Sequence, residues 1–234
     1  MKIAKLASFV LCLLTSASSF SQKIVIDYFV DYEIETKKKK DTITIGFSKN
    51  GDYLYTDSDA LVKNFQRSVF KRRDADIKNS EMHVVFDIKQ QFVYFLMTFD
   101  KNEFFMKMNV NDFIPSTRDK SPFDGITQFI LEKTEDNIQI ENTDYNIHQL
   151  YPDNEPEEKI KIVYSEDMKF NNSILMNSIY TMMSGSNASE DIKIPKINGV
   201  ILYLASKNKT LIKAVKTDSN PKTLDINFSY KITE

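Results

Sequence analysis

The segment Met82–Val110, MHVVFDIKQQFVYFLMTFDKNEFFMKMNV, sets three apolar runs side by side. Phe92–Phe99 is apolar on both alternating faces: Phe92, Tyr94 and Leu96 on one, Val93, Phe95, Met97 and Phe99 on the other. Two apolar faces predict a central strand covered on both sides. Its neighbours are one-sided. Met82, Val84, Phe86 and Ile88 alternate with His83 and Asp87, with Val85 breaking the pattern, and Phe104, Met106, Met108 and Val110 alternate with Lys107 and Asn109. The short polar connections Lys89–Gln91 and Asp100–Glu103 suit antiparallel hairpins. A three-stranded meander at the centre of the fold is expected.

Alternation continues outside this segment. Lys23–Glu35 reads as one long strand whose even positions, Ile24 to Ile34, face the core. Thr42–Lys49 and Asp52–Thr56 read as a hairpin, with Asn50-Gly51 as a two-residue turn in which both residues take positive φ. Asp57–Asp59 can cap a helix running to about Arg72, with Leu61, Val62, Phe65, Val69 and Phe70 as its apolar stripe. Lys71, Arg72 and Arg73 near its end suit the helix dipole. Asn111–Gly125, with Pro115 and Pro122, reads as a long loop. Further strands are expected over Ile126–Lys133, Asn137–Glu141, Tyr145–Tyr151 and Lys159–Tyr164. Asn171 or Asn172 can cap a second helix bearing Ile174, Leu175, Ile179, Met182 and Met183, ended by Gly185. Ile197–Ser206 and Thr210–Lys216 form another hairpin, and Leu224–Ile232 a last strand. The fold class is mainly β (a β-rich α+β chain). The expected form is a curved antiparallel sheet or half-open barrel of about ten strands, with two or more helices on its concave side.

The N-terminus changes the picture of where the chain acts. Met1–Lys5 carries two lysines, Leu6–Leu14 is apolar apart from Ser8 and Cys12, and Thr15–Gln22 is small and polar. With Ser19 and Ser21 before a cut at Gln22, this is the pattern of a secretory signal peptide. The apolar run is too short for a permanent span, so no transmembrane segment is expected in the mature chain. Residues 1–21 are read as the leader and 22–234 as a single domain, exported to the periplasm or secreted. Lipoprotein anchoring at Cys12 is not expected, because Val10 and Leu11 precede it where small residues belong. Processing would remove the only cysteine, and with it any disulfide, thiolate metal site or thiol nucleophile. Apolar residues make up 41% of the 234, enough for a sizeable core. The net charge is −2, and losing Lys2 and Lys5 makes it −4. That balance argues against nucleic acid as a partner. Lys37–Lys40, beside Asp41, reads as a solvated loop.

Candidate chemistry is sparse. There are two histidines, His83 and His148, and five glycines, with no HExxH, GxSxG, P-loop or GxGxxG pattern. Asp27, Asp31 and Glu33 share one face of the first expected strand, and a solvated face is their plainer reading; sugar enzymes add tryptophans, which this chain lacks. Asp57-Ser58-Asp59 lacks the other ligands of a calcium loop. No catalytic residue, metal or cofactor is expected. The methionines Met82, Met97, Met106, Met108, Met168, Met176, Met182 and Met183 are the stronger signal. Core filling is the plain reading of so adaptable a side chain. The sharper reading is an apolar cavity between sheet and helices, suited to acyl chains and lined by Phe65, Val69, Leu96, Met106, Met108, Ile179, Met182 and Met183.

Three segments together resemble a family. IVIDYFVDYEIETKKKKDTITIGFSKNGDYLY is a long strand followed by a hairpin. VFDIKQQFVYFLM resembles the D-x-K-x-x-x-x-Y-x-L strand turn of LolA-like envelope proteins. YNIHQLYPDNEPEEKIKIVYSEDMKF followed by IPKINGVILYLAS resembles the later part of the uncharacterised family of unknown function numbered forty-four-twelve, grouped with that fold. Where that family often has Gly-Tyr-x-Cys before its later strands, this chain has Asn142-Thr143-Asp144-Tyr145. The resemblance implies a half-open antiparallel barrel with helices in its mouth. The best-known members of the LolA-like fold carry lipoprotein acyl chains across the periplasm, though activity does not transfer with fold. The expected function is that of a non-enzymatic exported envelope protein that binds a lipid, a lipoprotein acyl chain or another apolar ligand. The alternative is an interaction or structural protein of the envelope, with a filled core and a protein partner.

Overall fold

The structure is a computed structural model, and it describes residues 21–35, 40–58, 80–99, 102–110, 126–177, 192–207 and 209–227. The expected leader apart from Ser21, most of the first expected helix and the long loop 111–125 lie outside the described residues. So does the second expected helix from 178 on.

Thirteen strands are described: β1 (Ser21–Ile26), β2 (Tyr28–Glu35), β3 (Lys40–Phe47), β4 (Tyr53–Thr56), β5 (Ser80–Asp87), β6 (Phe92–Phe99), β7 (Asn102–Asn109), β8 (Phe129–Ile140), β9 (Thr143–Pro152), β10 (Ile160–Ser165), β11 (Val200–Ser206), β12 (Lys209–Asp218) and β13 (Lys222–Asn227). Eleven form one antiparallel sheet in the order β7-β6-β5-β4-β3-β2-β12-β11-β10-β9-β8, and β1 pairs with β13 in a separate ribbon. The chain is thus mainly β, as its alternation predicts. The outer strands β7 and β8 do not pair with each other, so no barrel closes.

Two expectations about the sheet are corrected. The meander β5–β6–β7 is not its centre: it forms one end, and β2 is the middle strand. The apolar pattern of β6 was right about burial, since Val93, Tyr94 and Phe95 are all at most 3% exposed. Cover on both faces comes from layers stacked above and below, which a strand one place from the edge can also receive. Lys23–Glu35 is two strands, not one. The chain breaks at Asp27, whose N–H donates to Phe47 O and whose Oδ2 accepts from Lys49 N at 2.7 Å. From there β1 crosses onto the sheet. Gly46 makes room: a Cβ there would lie 2.5 Å from Ile26 Cγ2.

Register assigns the two faces. Val30, Ile45, Phe47, Leu54, Phe86, Val93 and Met108 belong to one face, here the inner face. Its main core joins Val30, Tyr32, Phe47, Val163, Phe170, Val200 and Leu202. Phe170 stands edge-on to Phe47 at 5.1 Å. The outer face of β4–β6 is covered by the ribbon, whose Ile24, Ile26 and Ile226 pack on Tyr55, Val85 and Tyr94. In the other half, Leu150, Ile162 and Ile197 form a further cluster.

The turns differ from expectation as well. Asn50-Gly51 is not a two-residue turn. Ser48 N bonds Tyr53 O around a four-residue loop, and only Gly51 has positive φ there. The turn with two positive φ values is Glu141-Asn142, between the paired Ile140 and Thr143. Ile126–Lys133 and Asn137–Glu141 are not separate strands: one strand, β8, runs through, with a bulge after Lys133. Thr134 Oγ1 stabilises that bulge by donating to Ile147 O. In the short helix 172–177, Asn171 Oδ1 accepts from Ser173 N as the cap, while buried Asn172 donates to the carbonyls of Ile197 and Gly199.

Candidate functional site

The expected apolar site is only partly assembled by the described residues. Met106 and Met108 pack against Met82, Val84, Val93, Phe95 and Met97 on the inner face. Leu96 does not join them. Its register with His83 and Phe105 puts it on the outer face, in the cluster under the ribbon. The period-two pattern explains the error: Leu96 and Met106 lie on neighbouring strands but on opposite faces, because Leu96 pairs with Phe105 and Met106 with Phe95. Phe65, Val69, Ile179, Met182 and Met183 lie outside the described residues. Phe86 is a contributor the sequence reading did not single out. It belongs to the inner face between Leu54 and Val93 and is 38% exposed. Its alternation with Asp87 and Val85 gave its face but not its exposure.

The outer face carries the polar groups. The Tyr55 hydroxyl lies 3.1 Å from Asp57 Oδ2 and 2.9 Å from His83 Nδ1, and accepts from Lys222 Nζ at 3.3 Å. The His83 ring stacks on Tyr55. Burial, then the Asp57 carboxylate, raises the Tyr55 pKa. Burial, then the Lys222 charge, lowers that of His83, with Asp57 and Glu81 opposing. Both rings are therefore held neutral at pH 7, and the phenol is a donor rather than a phenolate base. The cluster ties the ribbon, through Lys222, to β4 and β5.

A second network surrounds Asp87, which is 2% exposed. Its Oδ1 accepts from Gln90 N at 2.8 Å, and its Oδ2 from the Tyr94 hydroxyl at 3.5 Å. Burial is the main cause of its raised pKa, and Asp52 adds to it. Tyr94 is pushed up to about 12 by burial and by the Asp87 charge. Lys107 Nζ sits 3.7 Å from the Phe92 ring centre beside this network. A shifted carboxylate can mark a catalytic site. Here its partner Gln90 N–H belongs to the adjoining hairpin turn, so the group organises that turn. His148 stacks on Tyr164 at 4.9 Å, and its Nδ1 is buried with no hydrogen-bond partner among the described residues.

Among the described residues no three His, Cys, Asp or Glu side chains are grouped to hold a metal ion, and no helix is long and apolar enough to cross a membrane. One groove of about 220 Å³ is lined by Phe29, Asp31, Thr44, Lys216 and Asp218 of the outer face, with Thr217 between the last two.

No family model matches the sequence. No curated protein matches it either. A solved structure of PNGF-II in a C2 crystal form is similar over 86% of this chain, at 13% identity and a TM-score of 0.35. The chain spans 28% of that protein's length.

Proposed function

We propose that the protein is a non-enzymatic, exported envelope protein that holds a lipid acyl chain or another apolar ligand against the inner face of a LolA-like half-barrel. The observation that carries the reading is Phe86. It is a large apolar side chain, 38% exposed, on the inner face of an open sheet, with the methionine-rich cluster of β5–β7 beside it. Methionine and phenylalanine adapt to an irregular apolar guest. A sheet of eleven strands accumulates twist and curls, which gives the inner face a concave form. An acyl chain laid on Phe86, Met106 and Met108 gains about 0.8 kcal/mol per buried methylene. A leader cut after Ser21 keeps Gln22 in the ribbon, where it pairs with Ile226 and donates to the Tyr53 hydroxyl.

Titration with a fluorescent fatty-acid series tests this. The expected result is saturable binding that tightens with chain length and is strongly weakened in Phe86→Asp. Absence of saturable binding at any chain length would sink it.

A second reading, an interaction or structural protein of the envelope with a filled core, is favoured by one observation. Met82, Val93, Phe95 and Met97 are each at most 5% exposed, so much of the meander's inner face is already covered. Failure of the acyl titration, together with capture of a defined envelope partner, would select it.

A further inference from the structure

The groove on the outer face is built by register. Lys216, Asp31 and Thr44 stand in one row across β12, β2 and β3, and Asp218, Phe29 and Gly46 in the next. Lys216 reaches this row because of a bulge. Between Ala214, opposite Tyr32, and Lys216, opposite Asp31, one extra residue, Val215, is inserted. In regular register, without the bulge, Val215 would stand opposite Asp31 and Lys216 would face Val30 and the inner core. Bulges commonly re-aim side chains at functional positions. Gly46 contributes no side chain at the end of the second row, which leaves the Phe29 ring as floor, edge-on to Tyr55.

The charges around this floor are held apart. Asp31 Oδ1 accepts from Thr44 Oγ1 at 2.6 Å, and Asp218 Oδ1 accepts from Asn220 N and Nδ2 at 2.9 and 2.6 Å. Each carboxylate is thereby oriented with its second oxygen unused among the described residues. Lys216 forms no ion pair with either carboxylate among the described residues. Both signs of charge line one groove without pairing with each other, an arrangement that a ligand carrying both can match.

We propose that this groove binds a small zwitterion, an α-amino acid with an apolar side chain. The ligand's ammonium lies between Asp31 and Asp218, its carboxylate meets Lys216, and its side chain rests on Phe29. The volume of about 220 Å³ suits one such molecule. Charge-assisted hydrogen bonds at both ends fix its orientation.

The test is calorimetric titration of the folded protein with L-leucine, isoamylamine and isovalerate as separate probes. Leucine is expected to bind one-to-one with Kd at or below about 1 mM, and each half-charged probe at least about tenfold more weakly. Lys216→Ala and Asp31→Asn are each expected to weaken leucine binding at least about tenfold, with thermal melts confirming that both variants fold. Asp218→Asn, at the end of β12, serves as a second carboxylate variant if Asp31→Asn melts early. No saturable leucine binding by the wild type overturns the proposal. So does amine or carboxylate binding as tight as leucine, or unchanged affinity in folded variants.

Discussion

Glu141 Oε2 accepts a hydrogen bond from Thr217 Oγ1 at 2.6 Å, although Thr217 is in β12, a strand that neighbours neither β8 nor β9. Glu141 is in the turn between β8 and β9, and β10 and β11 separate β9 from β12. In a flat sheet three strand spacings would set β9 and β12 roughly 14 Å apart. The contact therefore requires the β8–β9 hairpin to fold across the inner face, where register with Val30 places Thr217. Tyr32 makes a shorter bridge of the same kind, donating to Ile201 O across β12. In a double-mutant cycle, Glu141→Met and Thr217→Val are expected to show a coupling of about 0.5–1 kcal/mol. Additive losses would mean that the hairpin is held by its apolar side chains alone.

Two glycines are expected to separate backbone from side-chain crowding. A Cβ at Gly199 would run into the carbonyl oxygen and carbon of Ser165, which are backbone atoms next to the β10–β11 bulge. A Cβ at Gly46 would press chiefly on the Ile26 methyl of the ribbon. Gly199→Ala should cost at least the roughly 1–3 kcal/mol typical of overpacking. Gly46→Ala should cost less and speed hydrogen exchange in β1 and β13 selectively. Chemical denaturation and amide exchange read both. Equal global losses with no selective exchange would refute the assignment of Gly46 to ribbon docking.

Much of the strand content was legible because period-two alternation survives in β2, β5 and β7, while β6 and β11 read as short continuous apolar runs. What was not legible is where strands go. The even positions from Ile24 to Tyr32 stay apolar across Asp27, so nothing in the pattern marks the change from ribbon to sheet. Strand order was hidden for a similar reason: β6 is apolar on both sides whether it is central or next to the edge. Among the expected cavity residues, Leu96 parts from Met106 and Met108 because hydrophobicity groups it with them, while the pairing with Phe105 decides its face. The groove was invisible, since the bulge at Val215 that turns Lys216 toward Asp31 leaves no sequence signature.

Burial of the meander and exposure of the ribbon edge predict contrasting costs. Phe95 is fully buried, and Val25 is 45% exposed. Phe95→Ala should cost about 3–5 kcal/mol, the range for a buried aromatic truncation. Val25→Ala should stay within about 0.5 kcal/mol, as exposed substitutions do. Urea midpoints compare them directly. A small loss for Phe95→Ala would show that the meander contributes little to the cooperative core.

Asp87 and His83 push stability in opposite directions as pH falls. The folded pKa of His83 lies below its ordinary 6.5. Between the two values the unfolded chain takes up a proton that the folded chain refuses, so stability falls as pH drops from 6.5 towards the folded pKa. The folded pKa of Asp87 lies above its ordinary 3.8. Its buried charge therefore weakens the fold at neutral pH, and that penalty is relieved as pH falls through the folded pKa. Asp87→Asn removes the charge while keeping an oxygen to accept from Gln90 N and gaining an amide to donate to the Tyr94 oxygen. The variant should be more stable than the wild type at pH 7, with the advantage shrinking as the wild-type carboxyl protonates. Urea melts at a series of pH values check this. A variant less stable than the wild type at pH 7 would mean that the Gln90 and Tyr94 bonds to a charged acceptor outweigh the cost of burying it.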